Sequence, residues 1–221
     1  MTLSSVRRPL RFFLLRHGET DYNRAGIVQG GGIDSTLNEQ GRMQAQAFHQ
    51  QWGQHPFEAV ICSGLQRTVQ TVEPFLEAGI PLLRYAGLNE ISWGVAEGQT
   101  RNPETERLFR ETLEAWRKGH VHHKVEGGES PEEVWSRASP VLAELARHYD
   151  DGGDLLICTH GRTLRILLSQ LMGYGLAYME RFSHRNTGLN LLKRVNPDVW
   201  VAELLNDTRH LAHLPSPSPD P

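Results

Sequence analysis

Two runs of this 221-residue sequence end alike. Phe12-Phe13-Leu14-Leu15 leads into Arg16-His17-Gly18, and Leu155-Leu156-Ile157-Cys158 leads into Thr159-His160-Gly161. One histidine after an apolar run is more often a satisfied buried side chain than a reactive one. Two such endings, with Arg67 beyond Cys62-Ser63-Gly64 and Glu90 in Leu88-Asn89-Glu90, make a set with chemical meaning. Arginine forks match phosphate oxygens and keep their charge at any working pH. A neutral imidazole is a good nucleophile near neutral pH. A carboxyl group can donate a proton to a leaving alkoxide. Two histidines, two arginines and a carboxylate therefore read as phosphoryl transfer through a phosphohistidine, with arginines supplying the charge that a metal supplies elsewhere.

The elements must bring these residues together. Residues 11–15, 57–62, 80–86 and 154–159 are short, apolar and β-prone, as buried strands of a parallel sheet are. Helical patterns separate them: 37–55 with Met43, Ala47 and Phe48 on one side, 65–78 interrupted by Pro74, and 100–118 with Leu108, Leu113 and Trp116 facing inward. A further helix starts at Ser130, where Pro131 and Glu133 complete a capping box, and runs to about Tyr149 with a bend at Pro140. Another continues from His160 through Met172. Residues 187–194 and 199–206 flank Val-Asn-Pro-Asp and read as an antiparallel pair. The alternation predicts a three-layer α/β/α sandwich with a mostly parallel sheet and antiparallel C-terminal strands. Ligands in such sheets bind beyond the carboxyl ends of the strands, where both His-Gly pairs fall.

Apolar residues make up 38% and charged residues 22%, so the chain is expected to be globular, with residues 1–214 as one domain and 215–221 as a disordered Pro/Ser tail. The net charge of -3 argues against nucleic acid as a partner. No apolar run is long enough to span a membrane, and no signal-peptide cleavage pattern follows the basic lead-in, which predicts a cytoplasmic protein. Cys62 and Cys158 end apolar runs and read as buried reduced thiols. Exposed sheet edges could pair two copies into a homodimer. His120, His122 and His123 invite a metal reading, but a full ligand set is missing and an exposed loop over the pocket fits better. No metal and no cofactor are expected.

The sequence resembles the histidine phosphatase superfamily, also called phosphoglycerate mutase-like. The resemblance rests on LLRHGETDYN (14–23), QGGGIDSTLNEQG (29–41), ICSGLQRTVQT (61–71), LNEISWGVAEG (88–98), GGES (127–130) and ICTHGRTLR (157–165), in family order over most of the chain. It implies His17 as the phosphorylated nucleophile, oriented by the carbonyl of Gly18. It implies Arg16 and Arg67 as the phosphate clamp and His160 on a phosphate oxygen from the opposite side. Glu90 would be the general acid and then the base. Asn23, Gln29 and the backbone of Gly161 would make further phosphate contacts. Gly30, Gly31 and Gly32 would allow a close backbone approach near the ligand, or shape a turn.

The family divides by phosphate acceptor. Mutases usually carry Glu-Arg-His-Tyr-Gly where this chain has Glu90-Ile91-Ser92-Trp93-Gly94, which looks more like the phosphatase branches. The expected activity is a metal-independent phosphomonoester hydrolase acting on a small phosphorylated metabolite. A cofactor-dependent phosphoglycerate mutase is the alternative, with a non-catalytic phosphate-binding protein behind it. Trp116-Arg117-Lys118 is a countersign, since it loosely resembles a mutase arginine pair; a solvated basic helix end is its other reading. Trp93 is the candidate cavity wall. A nucleophilic histidine must be neutral, so activity should fall below about pH 6 unless the pocket moves its titration.

Overall fold

The computed structural model describes residues 8–100 and 102–214; the expected C-terminal tail lies outside them. Among these residues six strands form one sheet: β1 (Leu10–Arg16), β2 (Ala59–Cys62), β3 (Leu82–Arg84), β4 (Gly153–Thr159), β5 (Leu189–Asn196) and β6 (Val199–Asp207), in the order β3-β2-β4-β1-β5-β6. The first four are mutually parallel, and β5 and β6 are antiparallel. Among the described residues six α-helices accompany the sheet: α1 (Asp21–Ala25), α2 (Glu39–Trp52), α3 (Gln66–Leu76), α4 (Pro103–Arg117), α5 (Pro131–His148) and α6 (Gly161–Leu171).

The two-residue period of the strands builds the layers. Phe12 and Leu14 of β1 point with Ile61, Leu155 and Ile157 toward Leu142 and Leu145 of α5 and Leu164, Leu167 and Leu168 of α6. Phe13 and Leu15 point the other way, with Val60, Leu156 and Cys158, toward Phe48 of α2 and Val72 and Phe75 of α3. The sheet is therefore covered on both faces, as the continuous apolar runs require. Cys62 and Cys158 are register partners, wholly buried as free thiols, and burial pushes the Cys62 thiol up to about 12.

Several boundaries differ from expectation. The third strand shrinks to three residues, because its flanks join only β2 at the sheet edge. Helix α2 starts after Asn38, whose side chain caps Gly41 N–H, and its buried face is Gly41, Gln44, Ala45 and Phe48. Met43 is exposed: the close approach of Gly41 to the backbone of Glu19 sets the helix's rotation. Helix α3 runs through Pro74 for two more residues, and α5 continues through Pro140. The short helix α1 was not expected from periodicity; Thr20 and Asn23 make it with a capping box.

At the sheet's other end, Asp154 at the start of β4 is wholly buried. Arg11 Nε donates to it at 2.7 Å, Arg8 Nη2 at 2.8 Å, and His55 Nε2 lies at 2.7 Å. Burial alone would raise this carboxyl, but the hydrogen bonds from Arg11, Arg8 and His55 outweigh it and hold the group below its ordinary value. A depressed carboxyl contributes stability above its unfolded value, and that contribution is lost as pH falls through the folded value. Asp154→Asn should cost about 2–4 kcal/mol at pH 7, read by urea unfolding, and the loss should narrow in acid. An equal loss at pH 7 and pH 3 would show that the charge is not what stabilises.

Candidate active site

His17 follows the last residue of β1, and its N–H donates to the Thr159 carbonyl at 3.0 Å. This continues the β1–β4 ladder and sets the two His-Gly endings side by side, with ring centroids 5.2 Å apart. His17 Nδ1 lies 2.7 Å from the carbonyl of Gly18. A carbonyl only accepts, so Nδ1 carries the proton and Nε2 keeps its lone pair. Gly18 is tightly placed: a Cβ there would lie 2.6 Å from the Gly41 carbonyl. Asn186 Nδ2 donates to the His17 carbonyl at 2.9 Å and reaches Asn23 Oδ1 at 3.4 Å, joining the backbone of His17 to α1. Burial, then the charges of Arg67 and Arg16, hold the His17 imidazole well below its ordinary value. Inactivation near pH 6 is thus not expected from His17 itself.

Arg67 in the first turn of α3 is wholly buried behind His17. It donates from Nη1 to the Ile33 carbonyl at 2.6 Å, from Nη2 to the Gly30 carbonyl at 3.3 Å, and from Nε to His160 Nδ1 at 3.1 Å. Burial brings it down to about 10, still charged at neutral pH. His160 Nδ1 must accept, so Nε2 donates to Ser63 Oγ at 2.8 Å. In this arrangement both ring nitrogens of His160 are engaged within the protein. Neither Arg67 nor His160 lines the open cavity, whereas Arg16, His17, Asn23, Gln29, Glu90 and Gly161 do. Arg16 Nη1 donates to the carbonyl of His184 at 2.8 Å and to its Nδ1 at 3.0 Å, a partner the motifs did not announce.

Glu90 is 8% exposed and its carboxylate caps α6 from another segment. Oε1 accepts from Ile91 N–H at 3.0 Å, Thr163 N–H at 2.9 Å and the Thr163 hydroxyl at 3.1 Å; Oε2 accepts from Arg162 N–H at 3.1 Å. Residue His160, at the N-cap, makes no side-chain cap, so Glu90 satisfies N–H groups that would otherwise be orphaned. Braces hold its loop. Arg137 donates to the Glu90 carbonyl at 3.1 Å and to Glu129, and Glu129 accepts from Ser92 N–H at 2.9 Å.

Gly30, Gly31 and Gly32 serve this loop more than the ligand. A Cβ on Gly31 would lie 2.6 Å from the Glu90 carbonyl, and those on Gly30 and Gly32 would strike Glu97. Gln29 Oε1 accepts from Thr20 Oγ1 at 3.2 Å and from Ser35 Oγ. The cavity of about 630 Å³ has an apolar wall of Ile27, Val28, Trp93, Phe109 and Leu113, with Trp93 edge-on to Phe109 at 4.6 Å. Arg110, Arg117, Arg162 and Arg165 add positive charge; Arg117 is an exposed basic residue in the last turn of α4, as expected, and also lines the cavity. Glu180 pairs with both Arg162 and Arg165. His120, His122 and His123 are exposed and do not line the cavity. Thr163, Asn186, Glu180 and His184 were missed by sequence reasoning. Only the hydroxyl of Thr163, three residues past His160, stood inside a recognised motif.

Residues 12–208 match the model of the histidine phosphatase superfamily (branch 1). The protein named probable phosphoglycerate mutase GpmB from Escherichia coli O1:K1 / APEC is 30% identical over 218 residues, covering 96% of this chain and 98% of its own. Among solved structures, a mycobacterial glucosyl-3-phosphoglycerate phosphatase complexed with VO3 superposes with a TM-score of 0.79 at 26% identity, covering 90% of this chain and 100% of its own. The α-ribazole phosphatase from Shigella flexneri gives 0.77 at 26% identity, covering 90% and 96%.

Three histidines here are held neutral, His17 and His160 buried and His184 half-buried. Burial dominates at His17, His160 and His184, with arginine charge adding to it: Arg67 at the first two and Arg16 at the third. Below about pH 6.5 the unfolded chain takes up a proton at each while the native state does not, so stability falls with pH. Each contributes a slope of about 1.4 kcal/mol per pH unit. His17→Ala should flatten the dependence of urea stability on pH between 6 and 4 by that amount. An unchanged slope would mean that His17 titrates in the folded protein.

Proposed function

The chain belongs to the histidine phosphatase superfamily, and from that premise we propose that it is a metal-independent phosphomonoester hydrolase working through phospho-His17 on a small phosphorylated metabolite. The observation that carries this reading is His17, with Nδ1 tied to the Gly18 carbonyl and Nε2 left as the nucleophilic nitrogen beside Arg16 and Glu90 on one cavity. Nε2 attacks phosphorus while Glu90 protonates the departing oxygen. Glu90 then takes a proton from water, which attacks the phosphohistidine and releases phosphate. Arg16 faces the transferred group. Arg67 supports it from behind with its charge and by fixing the 30–33 loop.

Mutase activity is the second reading, favoured by Arg117 in the cavity and by the name of the 30% identical relative. Against it, Glu180 already occupies two of the cavity's arginines, which weakens the hold on a second anionic group. The apolar wall and the cavity's size suit a leaving group larger than glycerate. The solved relatives named for glucosyl-3-phosphoglycerate and α-ribazole phosphates support a substrate of that kind.

A panel of phosphorylated metabolites in excess EDTA, with phosphate release as the readout, tests the reading. Release should be abolished by His17→Ala. Release by the variant at the wild-type rate, or none from any compound by the wild type, would overturn it. Glu180→Gln should raise kcat/KM for esters carrying a carboxylate or second phosphate by about threefold to tenfold relative to singly charged ones. An unchanged ratio would remove Glu180 from the specificity argument.

A further inference from the structure

The hydroxyl of Thr163 has more acceptors than it can serve. Oγ1 lies 2.8 Å from the Asn89 carbonyl and 3.1 Å from Glu90 Oε1, and both contacts place it as a donor. A hydroxyl has one hydrogen. The side chain is wholly buried, so no solvent makes up the difference. The Asn89 carbonyl can only accept. Glu90 accepts most strongly as an anion and less when it carries a proton.

We propose that Thr163 is a positioning residue for Glu90, its single hydroxyl hydrogen turning from the Asn89 carbonyl to Glu90 Oε1 whenever Glu90 has given its proton away. This rests on the phosphohistidine reading above. With Glu90 protonated, the proton sits on Oε2, which has one backbone donor, and Oε1 is already served by the N–H groups of Ile91 and Thr163. The hydroxyl then serves Asn89. As the His17 Nε2–phosphorus bond forms, the phosphorus–oxygen bond breaks with its electron pair going to the leaving oxygen. That oxygen takes the Oε2 proton and departs as an alcohol. Glu90 is now charged, and a turn of one hydroxyl brings a charge-assisted bond to Oε1. Water attack returns the proton to Glu90, the phosphorus–nitrogen pair to Nε2, and the hydroxyl to Asn89. The backbone donors are fixed and cannot follow this cycle; the hydroxyl rotor can.

Leaving-group dependence tests it, because p-nitrophenolate departs as a stable anion and an alkoxide does not. The readout is kcat/KM for β-glycerol phosphate and for p-nitrophenyl phosphate. Thr163→Val should lose about tenfold on the alkyl ester and less than about threefold on the aryl ester, with Thr163→Ser restoring both. Thr163→Ala makes the same comparison should valine not fold. An equal loss on both esters, or no loss, overturns the role of Thr163. Glu90→Gln separates the two readings: its loss must also be larger on the alkyl ester, and if it is not, the acid assignment to Glu90 fails before that of Thr163.

Discussion

The parallel pairing of β1 with β4 is the constraint on which the site depends. Its register sets Arg16 opposite Thr159, and the next hydrogen bond of the ladder is already the N–H of His17. A slip of one residue would exchange Phe12 and Leu14 for Phe13 and Leu15 on the two faces, which both cores forbid. The apolar packing of two helical layers thus holds two imidazoles in a fixed relation. The chemistry inherits the precision of the sheet.

Charge is managed around this frame by burial against fixed dipoles. Arg67 is a wholly buried cation, and two carbonyls of the 30–33 loop replace its water. Burial, with the charge of Arg67, keeps His17 and His160 neutral, which leaves a lone pair on each ring. Arg67 is therefore a structural tie as well as an electrostatic one: it draws the glycine triplet against the loop that bears Glu90. Those glycines have no side chain because that loop fills the space.

Glu90 joins the two halves of the arrangement. Its carboxylate ends α6, whose first turn lies beside His160, and its backbone is braced by Arg137 and Glu129 from α5 and the segment before it. Around it Ile91, Trp93, Trp116 and Ile166 form a satellite core, of which Trp93 lines the cavity. The guanidinium of Arg162 sits 5.7 Å from the Trp93 ring and 5.8 Å from that of Trp116 while pairing with Glu180. Trp93 of the cavity wall is thus tied to Glu90 through one residue, Arg162.

Much was legible in the sequence because it is written locally. Apolar runs between helical patterns carry the three layers, and a polar cluster at the end of each run carries His17, Arg67, Glu90 and His160. The capping box at Ser130 marks its helix with side chains only three residues apart. What stayed hidden depends on partners distant in the chain. Asn186 meets His17 across 169 residues, His184 meets Arg16 across 168, and the Thr163 hydroxyl meets Glu90 across 73. The purpose of Gly30–Gly32 was open in the same way, since only the folded chain shows what occupies the missing side-chain volume. The sequence by itself determined the fold class and the chemical types that meet at the strand ends, because strand period and helix capping act over a few residues. The tertiary structure alone decided that Arg67 and His160 stand behind His17 and what walls the cavity, because long-range hydrogen bonds and burial exist only once distant segments have packed.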